Sequence, residues 1–249
     1  MSKDLFSNQS DLYARYRPSY SAELIQYVLR FVDGRNSAWD CATGNGQAAY
    51  LLASHFQSIQ ATDISEKQIA NSIPHPRIQY SVAAADHSPF ADHCFDLITV
   101  AQAYHWFNFT AFENEARRVL KLNGILAVWG YSLVNADNDV VNAIIKSFYT
   151  NVVGSYWDEE RKYVDEHYNT IPFPYDEIGR AEFYIEQNWS LDDLTGYINT
   201  WSSLQHFIKE KGFNPVDELK DEIRKIWPSQ DSNSFRFPLF VRIGRVRHS

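Results

Sequence analysis

The chain has 249 residues, 45% hydrophobic and 22% charged, enough for one sizeable core with an added lobe and unlike a disordered or repetitive sequence. Its 31 acidic and 23 basic side chains give a net charge of −8, which opposes a phosphate backbone, so nucleic acid is not an expected partner. Cys41 and Cys94 offer neither a disulfide framework nor metal-ligand spacing, and no apolar run has signal-peptide or membrane-spanning length, so the expectation is a cytoplasmic protein with no metal and no membrane contact.

In chain order, Ala22 to Val32 reads as a helix with Leu24, Ile25, Val28, Leu29 and Val32 on one stripe. Four strand candidates follow: Ser37–Cys41, Ser58–Asp63, Arg77–Ala83 and Phe95–Ala101. Helical segments separate most of them, which predicts a parallel α/β sheet. Ser65-Glu66-Lys67-Gln68 has capping-box spacing and sets a helix start just after Asp63. Phe109, Phe112, Ala116, Val119 and Leu120 repeat at helical spacing, and Asn123-Gly124 stops that helix before a fifth strand, Ile125–Gly130.

The pattern changes after residue 131. Helical stretches near Asn138–Val153 and Asp158–Tyr168 lead into a loop with Pro172 and Pro174, then a strand candidate at Ala181–Gln187. Ser190-Leu191-Asp192-Asp193 resembles a helix start that puts Leu191, Leu194, Ile198 and Trp201 on one face, and a further helix covers Val216–Ile226. Phe235, Phe237, Leu239, Val241 and Ile243 alternate as in a strand, which Pro238 assigns to an edge or an irregular start.

Chemistry concentrates where the first strand candidate ends, in Ala38-Trp39-Asp40-Cys41-Ala42-Thr43-Gly44-Asn45-Gly46-Gln47-Ala48-Ala49. Ala42, Gly44 and Gly46 leave little side chain at alternate positions, so a ligand can approach the backbone, and the helix opening at Gln47 presents unpaired N–H groups. The Gly44 to Ala49 stretch satisfies the loose dinucleotide pattern G-x-G-x-x-A, with Asp63 following at about the ~20-residue interval expected of it. A carboxylate at the end of the second strand accepts both hydroxyls of an adenosine ribose, in NAD or S-adenosylmethionine alike; its other reading is a cap for the next helix.

Further segments narrow the choice: Ala84-Ala85-Asp86-His87-Ser88-Pro89-Phe90, Cys94-Phe95-Asp96-Leu97-Ile98-Thr99-Val100, Gln102-Ala103-Tyr104-His105-Trp106-Phe107, and Arg117-Arg118-Val119-Leu120-Lys121-Leu122-Asn123-Gly124. As an ordered set over Tyr13–Gly130 they resemble class I S-adenosylmethionine-dependent methyltransferases. The resemblance is to the small-molecule branch with trans-aconitate methyltransferase-like proteins (methyltransferase type 11). It implies a Rossmann-like, seven-stranded α/β sheet with its last strand antiparallel, helices on both faces, and a mainly helical cap inserted after the fifth strand. The corresponding organisation is an N-terminal arm and helix covering the cofactor at 1–34, an S-adenosylmethionine-binding core at 35–131, a cap at 132–230 that includes a core strand near 181–187, and a C-terminal core strand at 231–249.

The resemblance also implies residue roles. The Asp40–Gly46 loop, with Asp40, Ala42, Gly44 and Gly46, lies beneath the methionine part of the cofactor, Asp63 with Ile64 holds the ribose, and Asp86 accepts from the adenine amino group with Ala85 beside the ring. Tyr13-Ala14-Arg15-Tyr16-Arg17-Pro18 matches a segment that folds over the cofactor, adding Tyr13 and Arg17, whose guanidinium suits the methionine carboxylate; Gln102 joins the same set. Ala42 departs from the family's usual glycine.

His105, at the carboxyl edge of the fourth strand, either positions a substrate, takes a proton, or is a buried histidine bonded to a backbone carbonyl. Tyr104 and Trp106 border a sulfonium or simply pack, and Trp129, Tyr131, Trp157 and Trp201 line a substrate pocket or fill the cap core. The function implied is methyl transfer from S-adenosylmethionine to a small organic acceptor, a carboxylic acid being favoured by the resemblance, with S-adenosylhomocysteine as product. The alternatives are a nicotinamide-dependent oxidoreductase and a noncatalytic cofactor-binding sensor.

Overall fold

The structure is a computed structural model that describes residues 16–227 and 232–246. Its centre is one sheet with spatial order β3-β2-β1-β4-β5-β8-β6, and β7 pairs with the free side of β8. The strands are β1 (Ser37–Cys41), β2 (Ser58–Asp63), β3 (Ile78–Val82), β4 (Phe95–Ala101), β5 (Leu120–Tyr131), β6 (Asn135–Ala136), β7 (Asp176–Trp189) and β8 (Asn233–Arg245). β1 to β5 run parallel, whereas β8 runs antiparallel to β5, β6 and β7. The sheet therefore has the implied antiparallel C-terminal strand, with the two-residue β6 as an eighth member.

The helices are α1 (Ala22–Leu29), α2 (Gln47–Leu52), α3 (Glu66–Ala70), α4 (Phe109–Val119), α5 (Asp139–Ser147), α6 (Arg161–Asp165), α7 (Leu191–Ile198), α8 (Ser202–Lys211) and α9 (Val216–Ile226). Their starts follow local chemistry. Ser21 and Ser65 accept the N–H groups of Leu24 and Gln68, and Ser190 with Asp193 forms a reciprocal capping box. Two apolar clusters sandwich the sheet: Leu24, Val28, Leu52, Leu97 and Trp129 belong to one, and Trp39, Ile98, Phe112, Val128 and Tyr168 to the other. None of the helices formed by the described residues is long and apolar enough to cross a membrane.

Two expectations need correction. α4 ends at Val119 and the chain enters β5 at Leu120, so Asn123-Gly124 lies inside the strand rather than stopping the helix; Phe95 pairs with Leu120, and the register then shifts before Leu97 meets Ile125. β8 is an interior strand despite Pro238, which falls where the partner on one side changes from β5, paired as far as Leu239, to β6, paired at Arg236. The ladder is already interrupted there, and the Pro238 carbonyl accepts the Ser132 N–H at 2.9 Å.

Strand order reverses between β1 and β4: the chain goes outward through β2 and β3, then returns to the other side of β1. Open α/β sheets bind ligands beside the carboxyl ends of strands at such a switch point.

Candidate functional site

The β1–α2 loop sits at that point, held from below by Asp40. The fully buried Asp40 carboxylate accepts the Thr99 hydroxyl at 2.7 Å, the Ala49 N–H at 3.1 Å and the Thr43 hydroxyl, tying β4, α2 and the loop together. Burial pushes its pKa up to about 6, against the pull of those donors. Above it the backbone turns through left-handed conformations at Ala42 (φ 55°), Gly44 (φ 57°) and Gly46 (φ 93°). Ala42 adopts this conformation at a cost of about 1–2 kcal/mol that glycine would not incur.

The two glycines do different work. A Cβ at Gly44 would meet nothing nearer than Gln68 Oε1 at 4.0 Å, so the space over Gly44 is open. At Gly46 it would collide with the Tyr80 ring, so this glycine is required by packing within the protein.

Asp63 closes β2 opposite the loop. Its Oδ2 accepts the Gly44 N–H at 2.8 Å and its Oδ1 the Ser65 N–H at 2.9 Å. Ala42, Thr43, Gly44 and Asn45 from the loop, Asp63 and Ile64 after β2, and Ala85 after β3 line one cleft. Ala101 at the end of β4, Gln102, Trp106 and Phe107 after it, Tyr131 at the end of β5, and Arg17, Pro18 and Tyr20 also line it. Gln102, itself left-handed at φ 56°, accepts the Tyr131 N–H at 2.7 Å and donates to the Tyr131 carbonyl at 3.2 Å. Arg17 donates to the Tyr131 hydroxyl at 2.8 Å and to the Thr200 carbonyl at 3.2 Å, joining the N-terminal segment to the sheet and to the α7–α8 link.

A second, smaller cavity shares Arg17, Gln102 and Trp106 with this cleft and adds His105, Trp157, Arg161, Trp201 and Ser202. His105 Nδ1 lies 2.8 Å from the Tyr168 hydroxyl. Burial raises the Tyr168 pKa and keeps the phenol protonated. From this network we assign the phenol as donor to Nδ1, which puts the ring proton on Nε2. Burial, helped by the charges of Arg161 and Arg17, lowers the His105 pKa to about 3, so the imidazole is neutral at physiological pH.

Residues 39–128 match the methyltransferase domain family. A methyltransferase-family protein of Dictyostelium discoideum is 31% identical, the alignment covering 97% of this chain and 95% of that one. A methyltransferase-like protein of Schizosaccharomyces pombe is 26% identical over 90% of this chain and 88% of its own length. The solved structure of a type II methyltransferase from Anaeromyxobacter dehalogenans superposes with a TM-score of 0.85 at 32% identity, covering 94% of this chain and all of that one. The chain belongs to the class I S-adenosylmethionine-dependent methyltransferases. The nicotinamide and noncatalytic readings fall with that membership, and S-adenosylmethionine is the cofactor.

In this methyltransferase Arg17, Ala42, Gly44, Asp63, Ile64, Ala85 and Gln102, all named from sequence as cofactor candidates, line the larger cleft. Asp40 and Gly46 support the loop without lining the cleft, and Asp86 is exposed in the turn between the bridged Ala84 and His87. Tyr13 lies outside the described residues. Among the acceptor candidates, His105, Trp106, Trp157 and Trp201 line the second cavity and Tyr131 the first.

Trp129 is in the core, edge-on to Tyr20, and Tyr104 is fully buried with its hydroxyl donating to the Pro172 carbonyl at 3.1 Å, so neither reaches a cavity wall. Packing claims both, because large aromatic groups between sheet and helices bury more area than any other residue. Sequence reading missed Arg161, Tyr168 and Ser202. Arg161 hides in the charged run Asp158-Glu159-Glu160-Arg161-Lys162, which reads as a solvated face.

Proposed function

We propose that this methyltransferase esterifies a small organic acid, the larger cleft holding the cofactor and the smaller cavity the acceptor. The cleft suits the cofactor: open space over Gly44 admits a ligand to the backbone, Asp63 offers acceptors to ribose hydroxyls, and Arg17 supplies positive charge for the methionine carboxylate. When bound, S-adenosylmethionine supplies an activated methyl group on a sulfonium for in-line displacement.

The observation that carries the acceptor assignment is the composition of the second cavity. Its described wall holds two guanidinium groups, a neutral imidazole, three tryptophans, Gln102 and Ser202, and no carboxylate. An imidazole with a pKa near 3 is a weak base, which disfavours acceptors that must lose a proton during transfer. A carboxylate is already ionised, is attracted by the arginines and needs no base. The protein's task is then to align it with the methyl group and exclude water, which the shared wall of Arg17, Gln102 and Trp106 serves.

The test is incubation of the purified protein with methyl-labelled cofactor and a metabolite extract. A labelled small molecule that releases labelled methanol in mild alkali is the expected product. Alkali-stable label on nitrogen, carbon or an ether oxygen would overturn the carboxylate assignment.

A further inference from the structure

Arg161 is the first residue of α6, and among the described residues it is the only charged one lining the second cavity that does not also line the cofactor cleft. Its side chain is 16% exposed and fixed from several directions. Nε donates to the Tyr149 hydroxyl at 2.8 Å and to Asp165 Oδ1 at 3.1 Å, and the guanidinium carbon stands 4.7 Å from the centre of the Trp157 ring and 5.5 Å from that of Tyr149. All these contacts use Nε or the faces of the group. Nη1 and Nη2 make no hydrogen bond among the described residues.

A guanidinium pinned at Nε and held over an indole ring has already lost most of its rotamer freedom, so its two terminal nitrogens form a preorganised fork. The wall beside it is built from flat groups. Trp157 is 5.6 Å from Trp201 between ring centres, and Trp106 is 4.8 Å from His105. The buried indole N–H of Trp157 also has no partner among the described residues. With Asp165 paired at Nε, the Nη1/Nη2 fork and the flat aromatic walls beside it are complementary to a planar anion.

We infer that Arg161 anchors the acceptor, its Nη1 and Nη2 gripping the carboxylate of a planar unsaturated or aromatic acid whose body lies against the tryptophan walls. This rests on the reading of the second cavity as the acceptor site. His105 adds a neutral donor at Nε2, so the cavity selects for the ionised acid over its amide or alcohol. Arg161 is a binding and specificity residue here, whereas a purely structural role would confine it to bracing Tyr149 and Asp165.

The experiment titrates benzoate and crotonate, with benzamide and crotonamide as uncharged counterparts, into the full-length protein by calorimetry, with and without saturating S-adenosylhomocysteine. The wild type should prefer each acid over its amide by at least about tenfold. Arg161→Gln should lose that preference while amide affinity and S-adenosylhomocysteine affinity stay within about threefold, and Arg161→Lys should retain part of it, because a point charge replaces a fork.

A wild type without acid preference, or an Arg161→Gln protein that keeps it, overturns the proposal. Should Arg161→Gln fail to fold, benzoate protection of Arg161 from phenylglyoxal in the wild type, mapped by peptide mass spectrometry, decides the matter: protection supports the anchor and its absence overturns it. Failure of the earlier reading looks different. An Arg161-dependent acid preference accompanied by alkali-stable methyl label would leave the anchor standing and remove esterification.

Discussion

Asp63→Ala is informative because one carboxylate both builds the cleft and faces it. The substitution removes the acceptors for the Gly44 N–H at 2.8 Å and the Ser65 N–H at 2.9 Å. Two charge-assisted bonds at roughly 1.5–3 kcal/mol each set an upper bound, and partial exposure reduces the net loss to about 2–4 kcal/mol. For a chain of this size that lowers Tm by roughly 4–16 °C. Loss of the ribose contacts should weaken S-adenosylhomocysteine binding by a further 2–4 kcal/mol or so, roughly thirtyfold to a thousandfold.

Asp63→Asn separates the two effects. Its single carbonyl oxygen can keep one of the two backbone bonds, so the Tm loss should shrink, while the loss of charge still weakens ribose binding. Calorimetric titration gives the affinity and thermal melting by circular dichroism gives the stability. A folded Asp63→Asn or Asp63→Ala protein that binds S-adenosylhomocysteine within threefold of wild type would refute the placement of the ribose at Asp63. An unchanged Tm in Asp63→Ala would refute the bracing role.

Gly44→Val should fold with a Tm lowered by several degrees, because its Cβ enters open space and the cost is confined to the left-handed backbone, roughly 1–3 kcal/mol for a β-branched residue. S-adenosylhomocysteine affinity should fall by more than about a hundredfold by the same calorimetric assay, since the branched side chain occupies the ligand's space, and retained affinity would make the turn merely structural. The pH behaviour follows from two buried groups of opposite sense. The His105 pKa is lowered from 6.5 to about 3, so its contribution to stability is present above its unfolded value and lost as pH falls towards 3. The Asp40 pKa is raised from 3.8 to about 6, so its contribution is present below pH 4 and lost as pH rises through 6. Denaturant melts of His105→Gln should therefore show less acid destabilisation than wild type below about pH 6, and methyl transfer should show no inflection between about pH 6 and 9 that His105→Gln removes. An inflection near 6.5 lost in that variant would reinstate His105 as a base.

The parallel half of the fold was legible because its strands are short, largely buried and bounded by turns: β1, β2 and β4 begin and end where their residue patterns do. What sequence hid was long-range pairing. β7 is 14 residues long, yet only Ala181–Gln187 looked like a strand, because its first residues include Asp176, Glu177, Gly179 and Arg180, typical of a loop and also of a protected sheet edge. Pro238 misled for a related reason. A proline excludes a ladder bond only if the ladder has one at that point, and the partner on that side of β8 changes there from β5 to β6.

The same distinction divides the site. The proposed cofactor cleft is largely a property of contiguous backbone: a left-handed turn, a helix start and a carboxylate one strand away are written within residues 40–65, so residue order suffices to find them. The proposed acceptor cavity is assembled from Arg17, from the segment after β4, from α6 and its preceding loop, and from the start of α8, and no local pattern marks any of these as facing another. Arg161 is the extreme case. In sequence it is one charge in a run of charges, and only the fold shows that Tyr149, Trp157 and Asp165 take one nitrogen and the faces of its guanidinium and leave the fork. Cofactor chemistry constrains backbone geometry and so leaves a local signature. In the proposed site, acceptor selectivity rests on side chains converging from distant segments, so single substitutions should change it without disturbing the turn assigned to the methyl donor.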